Sequence, residues 1–146
     1  MQSRKAQEGF TIIELLIVML IIGILAAIAI PSFLSSTTKA KDAQAKELVR
    51  TAETTAESIA AGDGGNYEDV NREELHREEP TIPISASAAS TYLKSAASTD
   101  SSYSLTAVDA DGDELTISRS STGVITRTCQ SPVSKTGCSG GASSSW

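Results

Sequence analysis

One carboxylate stands where a carboxylate is costly. Glu14 lies five positions into residues 10–30, FTIIELLIVMLIIGILAAIAI, which otherwise contain no charge. A carboxylate among apolar residues costs several kcal/mol unless it is paired or near an interface, so it marks a functional site by default. Its natural partner is a positive charge at the same depth, and the apolar run supplies none.

Three other groups of residues could carry chemistry. Cys129 and Cys138 are the only cysteines and lie close together. In an exported chain an isolated close pair reads as a disulfide, worth about 3 kcal/mol in the chain-entropy model. In a reducing compartment the same pair would be two free thiols, and the N-terminus favours export. Asp109, Asp111 and Asp113 place oxygen ligands at alternate positions around Gly112. That spacing resembles a calcium loop, yet no bidentate Glu follows at the distance an EF-hand needs. A charged hairpin turn is the stronger reading, with these three as a weak calcium candidate. His76 stands alone in a charged run and reads as a solvated surface residue rather than a metal ligand. No G-x-S-x-G, P-loop or zinc spacing occurs. The expectation is a protein that is not an enzyme and uses no cofactor.

Charge limits the partners. The chain of 146 residues has a formal charge of −6, and its first nine residues, with Arg4, Lys5 and Glu8, are net +1. The remainder is therefore −7. Such a chain gains nothing from counterion release on nucleic acid, and anionic lipid headgroups repel it. No intrinsic nucleic-acid affinity is expected, and membrane attachment must come from the apolar segment.

The elements that position these residues follow from periodicity. Residues 10–30 as a helix span roughly 31 Å, about one hydrocarbon core. The basic start should remain cytoplasmic and the rest face outward. Two physical readings stand here: a plain single-pass anchor, or a secretory signal peptide ending at the A-x-A-like Ala27-Ile28-Ala29. Glu14 and the length of the run weigh against the second. Beyond Ser32, Leu48, Ala52, Ala56 and Ile59 form an apolar stripe at helical spacing, with Lys41, Glu47, Arg50, Glu53 and Glu57 largely off it. Gly62-Asp63-Gly64-Gly65 stops the helix. Residues 11–61 thus form one long helix, apolar all round in its first half and amphipathic in its second. Asn71–Glu79 suggests a helical turn around Leu75, and Ser85–Ser98 reads as either a short helix or a loop. From Tyr103 the pattern switches to period two, giving an antiparallel meander of three strands or four, with turns at Asp111-Gly112 and Thr122-Gly123. Its apolar face should cover the helix stripe, and the disulfide should pin residues 130–146.

The stretch Gly9-Phe10-Thr11-Ile12-Ile13-Glu14, continuing LLIVMLIIGILAAIAIPSF, resembles the signal sequence of type IV prepilins and type II secretion pseudopilins. The match covers about 25 residues; the rest agrees only in layout. The resemblance implies a leader of residues 1–9 cut between Gly9 and Phe10 by a prepilin peptidase, which methylates the new Phe10 amine. It implies a retained transmembrane and polymerisation helix over 10–30, continued by an amphipathic half over 31–62. Glu14 would meet the Phe10 amine of a neighbouring subunit in the dry filament core, where such a pair is worth far more than in water. Gly23 and Pro31 fit the family pattern and make a weak point in the helix. The implied fold is α+β: a long N-terminal helix with a small antiparallel sheet packed on its C-terminal half, within a domain of residues 63–146. The implied function is a structural subunit, in the first instance a major pilin, of a filament used for adhesion, twitching motility or DNA uptake. Its partners would be further copies of itself, the peptidase, the inner-membrane assembly machinery and minor pilins. The precursor would sit in the cytoplasmic membrane and the assembled subunit in the extracellular filament. A major pseudopilin is the nearest rival. The cysteine pair favours a pilin; the calcium motif of major pseudopilins is not evident. An anchored or secreted protein unrelated to filaments is the rival from another class.

Overall fold

The computed structural model describes residues 9–87, 89–132 and 146. It divides into two compact units, Met1–Ser36 and Thr37–Trp146. One helix, α1, runs from Ile12 to Gly62. Within the first unit the helix is apolar on every face, and every large apolar side chain from Phe10 to Leu34 is exposed, from 47% at Val18 to 86% at Phe10. Among the described residues this is the one helix long and apolar enough to cross a membrane.

In the second unit the same helix becomes amphipathic. Ala45, Val49, Ala52, Ala56 and Ala60 are buried at spacings of three and four. This seam is offset from the predicted stripe: Ala52 and Ala56 lie at its centre, while Leu48 and Ile59 flank it, partly buried. The helix stops where expected. Gly64 and Gly65 take positive φ of 68° and 96°, and the Gly65 amide donates back to the Ala60 carbonyl at 2.7 Å. Only glycine enters that region without a Cβ penalty.

A short helix, α2, covers Arg72–Glu78. Asn71 caps it, its Oδ1 accepting from the Glu74 amide at 2.9 Å, and Leu75 is its buried anchor. This is the helical turn expected around Leu75. His76 is exposed, and its Nδ1 lies 2.7 Å from the Ile82 carbonyl.

Four strands follow: β1 Tyr92–Ser98, β2 Tyr103–Val108, β3 Glu114–Arg119 and β4 Ile125–Gln130. They form one antiparallel sheet in the order β1-β2-β3-β4. The expectation of a helix or loop over 85–98 fails for its second half, which is β1. Ala and Ser dominate there, so local propensity is indecisive and pairing with β2 settles the conformation. The strand carries a bulge between Leu93 and Ser95, where the register with β2 slips by one. Arg72 fills the irregularity, donating to the Lys94 and Ile84 carbonyls at 3.3 Å each. Lys94 itself pairs with Glu114 across the sheet.

One sheet face completes the core. Leu93, Tyr103, Leu105, Ala107, Leu115, Ile117 and Cys129 are buried in one cluster with the α1 seam, Tyr67, Val70, Leu75 and Ile82. The other face is lined by hydroxyls, with Ser104 facing Ser118 at 3.0 Å and Thr106 facing Thr116 at 2.9 Å. The helix contributes mainly alanine and the sheet contributes the bulk, so interdigitation relies on large side chains meeting a small-residue surface.

Candidate functional site

The start of α1 has a defined local geometry. Thr11 precedes the first helical residue. The Glu14 amide points to Thr11 Oγ1 at 3.3 Å, while the Thr11 amide and hydroxyl both donate to Glu14 Oε2, at 2.9 and 2.7 Å. This is a capping box, in which two helix-terminal donors are satisfied reciprocally. The sequence reading treated Glu14 only as an unpartnered charge. The signal it missed was Thr-x-x-Glu directly ahead of an apolar run. The carboxylate therefore has neutral hydrogen-bond donors of its own and no cation among the described residues of its unit. Gly9 and Phe10, which bound the expected cleavage point, are both exposed.

Gly23 and Pro31 lie within α1, which stays helical across both. Pro31 has no amide hydrogen, so the carbonyl one turn earlier, at Ala27, lacks its usual donor. A Cβ built on Gly23 would meet nothing within 4 Å; its glycine is not required by packing inside one chain.

In the second unit two polar clusters lie against α1. The first centres on Glu57. Tyr67 Oη donates to its Oε2 at 2.6 Å and Tyr103 Oη to its Oε1 at 2.9 Å. Arg119 lies 3.5 Å from Oε1 and 5.0 Å above the Tyr67 ring. The two tyrosine rings are 5.2 Å apart and tilted at 52°. Burial first, and the Glu57 carboxylate second, push both phenols above their ordinary range.

The second cluster rearranges the predicted aspartate loop. The β2–β3 turn is closed by Asp109, whose Oδ1 accepts the amides of Asp111 and Asp113 at 2.8 and 2.9 Å, with Gly112 at φ 89°. Asp111 turns away and pairs with Lys41 at 2.6 Å, a hydrogen bond that raises the lysine above its ordinary value. Asp109 and Asp113 turn inward, and Asp42 of α1 joins them. Asp42 was not anticipated. It does continue the buried seam, three residues before Ala45, and a carboxylate prolonging an apolar stripe was the available signal.

Cys129 is buried on β4. Cys138, its expected partner, lies outside the described residues, as does most of the 130–146 tail. Trp146 packs on the core edge, donating its indole N–H to the Thr128 carbonyl at 2.9 Å with Arg50 and Lys46 over its ring.

Comparison with known proteins bears on the N-terminal segment first. The family description "Prokaryotic N-terminal methylation motif" matches residues 4–30. A fimbrial protein of Pseudomonas aeruginosa is 54% identical over 54 residues, covering 37% of this chain and 35% of that relative. The type IV major pilin protein PilA of Myxococcus xanthus is 48% identical over 52 residues, covering 36% and 24%. The type II secretion system core protein G of Pseudomonas aeruginosa is 46% identical over 44 residues, covering 30% and 31%. The chain thus spans about a third or less of the length of these curated relatives. No solved structure matches. The methylation motif over residues 4–30, the fimbrial and pilin relatives that match about a third of the chain, and an α+β fold of one long helix and a four-stranded antiparallel sheet together support a type IV pilin family.

Proposed function

We propose that this chain is the structural subunit of a type IV pilus, assembled through the apolar half of α1. One observation carries the reading: within the methylation motif and just beyond it, every large apolar side chain from Phe10 to Leu34 is exposed. Water is the wrong solvent for such a surface; lipid suits it before assembly, and like helices suit it afterwards. Cleavage falls between Gly9 and Phe10, and the Phe10 amine is methylated. In the filament that amine meets Glu14 of a neighbouring subunit. The capping box favours this role, because Glu14 is already held at the helix start and is not committed to a cation among the described residues of its unit. Docking in the wrong register leaves both charges buried and unpaired, which penalises misassembly. Gly23 and Pro31 supply the point at which the helix gives way on packing. Cys129 and Cys138 form the disulfide that closes the C-terminal loop. The subunit works with a prepilin peptidase, the inner-membrane assembly machinery and minor pilins; its role is structural, not enzymatic. The precursor resides in the cytoplasmic membrane and the assembled subunit in the extracellular filament.

The test is intact mass and N-terminal peptide mapping of protein sheared from cells. A chain beginning at N-methylated Phe10, abundant in the sheared fraction, is expected. A chain beginning near Ile30 would mean an ordinary signal peptide and would end the filament reading. A correctly processed chain retained in the envelope and missing from the sheared fraction would move the assignment to the pseudopilin.

A further inference from the structure

We propose that Asp42, Asp109 and Asp113 form a binding site for a divalent cation of the hard, oxygen-seeking class, calcium first, which ties α1 to the β2–β3 hairpin. The three carboxylates are buried, 4%, 2% and 0% exposed respectively, and each offers one oxygen within 4.8 Å of the others. The two hairpin carboxylates, Asp109 and Asp113, repel each other strongly away from water unless protons or a cation neutralise them.

The hydrogen-bonding pattern points to the cation. Asp109 uses Oδ1 to accept the Asp111 and Asp113 amides. Asp113 uses Oδ1 to accept the Ser131 hydroxyl at 2.6 Å. These bonds fix both carboxylates, yet Oδ2 of Asp109 and Oδ2 of Asp113 are buried with no hydrogen-bond partner among the described residues. A buried carboxylate oxygen left bare needs a reason, and an ion is a standard one. The neighbouring Lys41 does not serve: its ammonium is bonded to Asp111 and feels Asp109 only through longer-range attraction.

Ligand type selects the ion class. An all-carboxylate set with no His or Cys among the described residues suits calcium, magnesium or manganese and disfavours zinc. Magnesium demands near-ideal octahedral geometry and keeps several waters, so a buried cage of protein oxygens suits calcium better. The set differs from the loop expected from sequence, because Asp111 drops out and a residue of α1 enters. The site lies wholly within the second unit and does not depend on filament assembly.

The experiment uses the full chain in detergent micelles, stripped with EGTA and then titrated with calcium chloride. Trp146 fluorescence follows thermal unfolding, and bound metal is counted by mass spectrometry. Loosely held structural sites bind at about 10⁻⁴–10⁻³ M. About 5 mM calcium should therefore raise the Tm by roughly 5 °C or more, with one ion bound per chain. Asp109→Asn and Asp113→Asn should each remove most of that increment, whereas Asp111→Asn should keep it. The Asn variants also separate the alternatives. Without an ion, neutralising one carboxylate relieves repulsion and raises the calcium-free Tm, with no response to calcium in any form of the protein; that outcome overturns the proposal. An increment that survives Asp113→Asn, or an equal increment from magnesium, overturns the assigned residues or the assigned ion.

Discussion

Replacing Glu57 with Ala should unlock the second unit more than its surface position suggests. The side chain is 43% exposed, and a surface carboxylate in a loose ion pair is worth little. Its two oxygens, however, accept the hydroxyls of Tyr67 and Tyr103, both nearly fully buried. Truncation leaves two phenolic donors inside the fold. Each orphaned donor costs about 1–3 kcal/mol. Solvent can reach the space Glu57 vacates, so the lower part of that range applies and the pair costs roughly 2–3 kcal/mol. The Arg119 contact at 3.5 Å adds little. For a unit of this size the loss corresponds to a Tm drop of roughly 8–12 °C. The assay is thermal unfolding of the full chain in detergent, followed by near-ultraviolet circular dichroism and Trp146 fluorescence. The control is a double-mutant cycle: with Tyr67→Phe and Tyr103→Phe already in place, there are no donors to orphan and Glu57→Ala should cost far less. A drop below about 2 °C, or an equal cost in the Phe background, would refute the reasoning.

Three other perturbations separate local from assembled roles. Glu14→Gln keeps the capping box, since Gln serves at that position, but removes the charge; membrane insertion should be normal and piliation seen by electron microscopy should be lost. Thr11→Ala removes the hydroxyl cap and keeps the charge, so filaments should persist, and normal piliation of Glu14→Gln would count against the pairing with Phe10. Raising the pH tests the tyrosines. Their folded values lie above the unfolded value, so the stabilisation is complete below about pH 10 and drains away as pH rises toward the folded values. The Tm should be flat through neutrality and fall above about pH 10, with tyrosinate absorbance from Tyr67 and Tyr103 rising as the unit unfolds. Cys129→Ser should destabilise the second unit by about 3 kcal/mol. Dithiothreitol should reproduce the loss in the parent chain and leave the variant unchanged; an unaffected parent Tm would remove the disulfide from the account.

Legibility in the sequence followed the strength of the local signal. The long helix was readable because apolar runs, a helical stripe and a glycine stop agree with one another over Ile12–Gly62. The β2–β3 and β3–β4 hairpins were readable because Tyr103, Leu105 and Ala107, then Leu115 and Ile117, alternate with polar residues, and because Gly112 and Gly123 mark turns that need positive φ. β1 was not, because YLKSAAS has neither periodicity nor strong propensity; its conformation is decided by a partner strand and by Arg72, remote in sequence. The aspartate cluster was half legible. Asp109 and Asp113 were singled out, but their convergence with Asp42 joins positions about seventy residues apart, which no local spacing encodes. Glu57 was placed only as a charge off the apolar stripe, since nothing in the helix period says that two tyrosine hydroxyls will reach it.

The strand order has a consequence for timing. Every strand pairs with the one before it in the chain, and the turns between them span only a few residues. Each pairing therefore closes a short loop at small entropic cost, and hairpins of this kind form in about 1–10 μs. A sheet that zips from neighbour to neighbour needs no distant segment to arrive first. Sheet formation can keep pace with a chain emerging at roughly 5–20 residues per second. Each inner strand then finds its partner within its own chain long before a second molecule diffuses to it, which limits the interval in which an unpaired strand edge is open to aggregation.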